Sequence, residues 1–254
     1  MAVPAFDTDG KLWSVQYVNS DGSKRFARES RKEGCFHVVG STDPVGDLKK
    51  ADAIVVAEGY ATAATLKSLH AETADPLGGV AFVAAFDAGN VPHVARVLRE
   101  RHLSAAMVIA ADNDRGMEGQ EVGRNPGLIK GQEAASANGA VLMAPSFSAE
   151  ELEAGFSDWN DLASHDEVRK GLVVKELEQA LQKAFALQDV HQSSVPGAGE
   201  DHGDAFDSEH KVRANDQNIS SGVTVQNEQK VFFSLGKNGV NEYVRTTDGR
   251  FRAS

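Results

Sequence analysis

From Ala51 onward the chain repeats one rhythm, in which a short apolar run gives way to a helix-length amphipathic stretch. "AIVVA" leads into "YATAATLKSLH", "VAFVAAF" into "NVPHVARVLRERH", and "AAMVIAA" into "PGLIKGQEAASANG". "AVLMA" then precedes a long amphipathic segment from about Asp166 to Leu187. Apolar runs of about five residues without polar alternation suit strands buried on both faces. Strands of that kind joined by helices must run parallel, because each helix carries the chain back to the same end of the sheet. The expectation is therefore an α/β domain over residues 51–187, a parallel sheet flanked by helices. Asn90 ahead of Pro92, and Gly139, are suitable helix boundaries.

The flanking segments obey other rules. Residues 1–50 read as a small β-rich unit, with "KLWSVQYV" and "CFHVVG" on either side of the turn signal "NSDGS". Residues 188–228 are polar, with little to bury, and read as a flexible linker. Residues 229–254 alternate around "KNG" and "TDG", so the flexible C-terminal tail is expected to end in a β-hairpin or small accessory module.

Charge narrows the possible partners. With 26 basic and 37 acidic side chains the net charge is −11, which argues against coating nucleic acid by bulk electrostatics. Contact with nucleic acid then needs a local basic patch or bridging metal ions. Cys35 is the only cysteine, so neither a disulfide framework nor a cysteine-built zinc site can form within one chain. The N-terminus lacks a secretory pattern and no run of about 18 apolar residues occurs, so a cytoplasmic protein with no membrane contact is expected.

Ligands of open parallel sheets gather at the carboxyl ends of the strands. Three acidic signals fall there. Glu58 ends "AIVVA" and is followed by Gly59; Asp112 and Asp114 follow "MVIAA"; Asp158, Asn160 and Asp161 lie in "FSDWNDLA" before the last long helix. In extended backbone, residues two apart share a face, so Asp112 and Asp114 have Cα atoms about 6.5–7 Å apart and repel unless a cation lies between them. Each signal also has a plain structural use. Glu58 can complement a helix dipole, Asp-x-Asp can form a solvated turn, and Asp158 or Asn160 can cap a helix. Asp87 of "AFDAGN" fits either a site rim or a helix cap. Together the carboxylates could converge on a hard divalent cation.

In that order and combination, "VVAEGYATAATL", "VAAFDAGN", "IAADND", "NPG" and "SDWNDLA" resemble the Toprim domain over about residues 51–165. That domain is shared by DnaG-type primases, topoisomerases and some nucleases. The closer resemblance is to the Toprim domains of plasmid and phage primases, also found in conjugative mobilisation proteins, and it extends to the upstream "LWSVQYVNSDGSKRFARESRKEGCFHVVG". The resemblance implies a Mg²⁺ or Mn²⁺ site handling nucleotidyl or phosphodiester chemistry. Glu58, Asp112 and Asp114 match its catalytic carboxylates, and the same three with Asp158 match its metal-binding positions. The implied activity is synthesis of short RNA primers on single-stranded DNA from nucleoside triphosphates, with a helicase or relaxase as partner. A Toprim nuclease and a non-catalytic DNA-binding module of a mobilisation complex are the alternatives.

Lys24, Arg25, Arg28, Arg31 and Lys32 lie close to Phe26 and Phe36, a mixture suited to phosphate contact and base stacking. A charged hairpin edge that discourages strand pairing between molecules fits the same residues. The chain departs from DnaG-type primases in that its one cysteine cannot supply a zinc module. It also has no helicase-type Gly-rich phosphate loop and no separate domain to carry a topoisomerase's nucleophilic tyrosine.

Overall fold

A computed structural model of the chain describes residues 1–73, 77–114, 125–193, 230–234, 240–245 and 251–253. The apolar runs form the strands β5 (Ala53–Ala57), β6 (Val80–Ala84), β7 (Ala106–Ala110) and β8 (Val141–Met143), preceded in the chain by β1 (Ala2–Phe6), β2 (Leu12–Val18), β3 (Lys24–Phe26) and β4 (His37–Val38). The helices are α1 (Pro44–Lys50), α2 (Tyr60–Ala71), α3 (Val91–Arg101), α4 (Pro126–Asn138), α5 (Ala149–Glu153), α6 (Trp159–His165) and α7 (Glu167–Ser193).

The fold is α/β. Its main sheet has the order β4-β6-β5-β7-β8, with β6, β5, β7 and β8 parallel and β4 antiparallel at the edge. Both faces are covered, as the unalternating strands require. Ala53, Val55 and Ala57 pack with Leu66 of α2, Trp159 and Leu162 of α6, and Val173, Leu177 and Leu181 of α7. Ile54 and Val56 face the other way, toward Leu48 of α1, Val94 and Leu98 of α3, and Ala134 and Ala135 of α4. Burial of five such side chains from one strand removes enough apolar surface to hold it at the centre of the sheet.

Strand order decides where a ligand can sit. From β5 the chain crosses over α2 to β6 on one side, then returns over α3 to β7 on β5's other side. The direction of winding reverses there, and the helices on either side of the reversal lie on opposite faces. In open α/β sheets such a reversal is where ligands bind, here at the carboxyl ends of β5 and β7. Their register pairs Ala57 with Ala110, so the residues following each strand emerge side by side.

The N-terminal unit differs from the expected hairpin. β1, β2 and β3 form a three-stranded antiparallel sheet, which "CFHVVG" touches only through a bridge between Phe36 and Phe6; His37 and Val38 pair with Ala84 and Val83 as the edge strand of the main sheet. The reason is packing, since Phe36, Val38 and Leu48 are buried in the main core. The segment expected as one long helix from about Asp166 begins at Glu167 and runs to Ser193, with the separate α6 before it. Asp166, in extended backbone, breaks the two apart. From residue 194 on, the expected linker falls outside the described residues. β9 (Lys230–Ser234), β10 (Val240–Arg245) and β11 (Phe251–Ala253) form an antiparallel sheet of three strands in the segment expected to be a hairpin or small accessory module. Among the described residues no helix is long and apolar enough to cross a membrane.

Candidate functional site

Glu58 leaves β5 and enters α2 through Gly59, whose backbone is extended and supplies no side-chain cap. Asp112 leaves β7 two residues after Ala110 and is only 8% exposed. One oxygen of each, Glu58 Oε2 and Asp112 Oδ1, is buried without a hydrogen-bond partner. Burying an unpaired carboxylate oxygen costs several kcal/mol if it stays charged, a cost that a proton or a cation would offset.

Asp158 arrives from a distant part of the chain. Asn113 N–H donates to Ser157 O at 2.7 Å, and Trp159 Nε1 donates to Ala111 O at 3.1 Å. These two bonds lay residues 157–159 against the end of β7. Trp159 is fully buried, which anchors α6 by its first residue. Asp158 caps that helix, one oxygen accepting from Asp161 N at 2.8 Å while Asp161 Oδ2 accepts from Asp158 N. The capping use anticipated for Asp158 is thus present, and it engages one of its two oxygens.

Asp114 is fixed by α4. Its Oδ2 accepts from Gly127 N at 3.3 Å, and its own N–H donates to Asn125 Oδ1 at 3.2 Å. Asn125 is an organiser to which sequence reading, quoting it only within "NPG", gave no role. It caps α4 through Leu128 N and donates to Asn113 Oδ1 at 2.7 Å, and Asn113 in turn donates to Pro145 O at 2.8 Å. The available signal was Asn before Pro-Gly at a helix start. α4 can approach this closely because Gly127 has no Cβ: one placed there would lie 2.8 Å from Asp112 O and 3.1 Å from Asp114 Oδ2.

The electrostatics of these carboxylates are coupled. Burial, then the neighbouring Asp114 charge, pushes Glu58 up to about 7, against a backbone hydrogen bond from Ala88 and the charge of Lys24. Asp112 is raised well above the usual carboxylate range, first by burial and then by Glu58, Asp158 and Asp114. Burial raises Asp158 as well. Asp112 thus interacts with each of the other three carboxylates, and Glu58 also with Asp114. Among the described residues, no three His, Cys, Asp or Glu side chains already stand at the spacing of a bound ion. The donor set is all oxygen, which suits Mg²⁺ or Mn²⁺ held by a few carboxylates plus water and substrate oxygens.

The remaining candidates separate. Asp87 caps the short 3₁₀ turn Ala88–Asn90, accepting from Asn90 N at 3.1 Å, and pairs with Lys32. Arg31 lies over the Trp13 ring at 4.9 Å, and Trp13 Nε1 donates to Asp7. Arg25 and Arg28 are exposed and form no ion pair with another described residue. Lys24 stands apart from these, close to the carboxylates. Arg99 donates to Asn138 O and Ala105 O, a structural tie between α3, α4 and β7. His37 is buried with Nδ1 against Pro4 O, and burial lowers it to about 4, so it stays neutral. Cys35 is buried and its thiol is pushed up to about 11, which makes it unreactive.

No protein-family model matches the chain. Over 146 residues, 58% of its length, the chain is 49% identical to a DNA primase TraC of Escherichia coli. A second Escherichia coli protein of the same name is 44% identical over 146 residues, again 58% of this chain. The matched regions span only 13% and 9% of those two relatives. The similarity places the chain among relatives of primase-type proteins.

Proposed function

We propose that the chain carries the catalytic domain of a Toprim-type primase, which makes short RNA primers on single-stranded DNA from nucleoside triphosphates in plasmid or phage replication or conjugation. The carrying observation is the pair of buried, partnerless oxygens of Glu58 and Asp112 at the ends of adjacent strands, with Asp114 and Asp158 beside them. The similarity to proteins named DNA primase TraC supports the reaction class.

Glu58, Asp112, Asp114 and Asp158 would hold divalent ions, which when bound neutralise triphosphate charge and acidify an attacking hydroxyl. The protein's share is placement. Asn125 and Gly127 fix Asp114, Trp159 fixes the Asp158 turn against Ala111, and the low-exposure pocket of Asp112 limits water. Exposed Arg25 and Arg28 are the basic side chains left open for template phosphates. A helicase or relaxase would deliver the single strand.

Labelled single-stranded DNA incubated with nucleoside triphosphates and Mn²⁺ tests the reading. The wild type is expected to yield short RNA primers, and Asp112→Asn to lose at least a hundred-fold in rate, the scale on which removing one preorganised electrostatic group acts. A Toprim nuclease is the second reading, favoured because Glu58 near 7 is suited to proton transfer to a leaving hydroxyl. Shortened DNA without primers would favour the nuclease, and neither product would contradict both.

A further inference from the structure

β3 has three residues, so alternation places Lys24 and Phe26 on one face and Arg25 on the other. Phe26 packs edge-on against Phe86 at the end of β6, ring centroids 5.3 Å apart. Phe86 is held there in left-handed backbone, φ 78°, a conformation that an aromatic residue adopts only when its surroundings impose it. That dock turns the face of β3 bearing Lys24 toward the carboxyl ends of the main strands. Lys24 Nζ consequently lies 4.0 Å from where a Cβ on Gly59 would stand, directly beside Glu58.

Lys24 forms no close ion pair with another described residue, unlike Lys32, which is bound to Asp87. Its charge nevertheless favours the ionised forms of Glu58, Asp112 and Asp158 alike. A flexible ammonium beside the Glu58–Gly59 turn, without a dedicated partner, is a monovalent stand-in that can move away.

We propose that Lys24 is the tethered countercharge of this site: in the metal-free protein its ammonium offsets the repulsion among Glu58, Asp112 and Asp158, and an arriving divalent cation displaces it. The inference rests on the metal reading above. It separates Lys24 from Arg25, Arg28, Arg31 and Lys32, whose geometry suits packing or template contact. It also makes the N-terminal unit part of the site, since β3 alone brings this cation to the strand ends. Lys24 is a positioning residue here, acting through the carboxylates.

The test uses the full chain with Lys24→Gln and Lys24→Arg, titrated with Mn²⁺ by calorimetry and melted with and without Mn²⁺. Lys24→Gln is expected to bind Mn²⁺ roughly ten-fold more tightly, the factor set by repulsion between a divalent and a monovalent charge about 6 Å apart across water. Lys24→Arg keeps the charge and stays near the wild-type affinity. Without metal, Lys24→Gln melts below the wild type, and with saturating Mn²⁺ the difference closes or reverses. A purely structural lysine would lower both melts equally, and that result overturns the proposal. So does unchanged or weaker Mn²⁺ binding by a cooperatively melting Lys24→Gln, whereas a wild type that binds no Mn²⁺ overturns the metal reading and this inference together.

Discussion

Glu58 concentrates the chemistry of the site in one titration. Its carboxyl loses a proton near 4.5 in ordinary surroundings and near 7 in the folded chain. Below 4.5 folded and unfolded chains are both protonated, and the side chain does not oppose folding. Between 4.5 and 7 only the folded chain keeps the proton, so each rise in pH weakens metal-free folding, and above 7 the full penalty is present. Glu58→Gln removes the charge and should raise metal-free stability by about 3 kcal/mol at pH 8, with the gain falling below about 1 kcal/mol by about pH 5. His37, lowered to about 4, drives stability the other way across the same window, but it is common to both proteins and cancels in the comparison. Denaturant melts of the two proteins at several pH values measure this, and a gain that does not depend on pH would contradict it. The strand-end carboxylates themselves were legible, because an acidic residue directly after an unbroken apolar run has few reasons to be there. Their burial and missing partners were not, since they depend on which strands are neighbours.

The elements show why. Apolar periodicity gave β5 residue for residue and the other three parallel strands to within two residues, because burial on both faces leaves no room for polar alternation. It does not encode that β5 and β7 are adjacent, which is what brings Glu58 to Asp112. The short elements α1 and α5 lacked enough length to show a period. β4 was assigned to the wrong sheet because two residues carry no register information. The packing of α4 depends on Gly127 and Gly131, one turn apart; a Cβ on Gly131 would stand 2.6 Å from the Ala111 Cβ. Gly127→Ala places its methyl against the Asp112 backbone, which cannot yield cheaply. The substitution should destabilise the chain by about 1–3 kcal/mol despite alanine's better helix propensity, and weaken Mn²⁺ binding as the Asp114 turn is pushed away. Thermal melts and Mn²⁺ titration check both effects. A Gly127→Ala protein as stable as wild type, with unaltered Mn²⁺ affinity, would show that the close approach does not position the site.

At the scale of the whole molecule, the N-terminal unit and the main sheet are joined by buried polar and aromatic contacts. Asn90 Oδ1 accepts from Gly34 N, while its Nδ2 faces the carbonyls of Lys32, Cys35 and Ala85. Phe6 and Phe36 exchange backbone hydrogen bonds, and Arg101 of α3 pairs with Asp9 at 2.7 Å. None of these ties has a sequence signature, since each couples residues far apart along the chain. They are the reason a basic side chain from β3 reaches an acidic site built by β5, β7, α4 and α6. The central claim is that this site holds divalent metal between the ends of two neighbouring strands. Anomalous diffraction from crystals soaked in Mn²⁺ tests it most directly. The account predicts a manganese peak bonded to carboxylate oxygens of Asp112 and Glu58 at about 2.0–2.3 Å, the range of hard-cation oxygen ligation. A site without manganese at saturating concentration, or manganese bound only elsewhere, would contradict it.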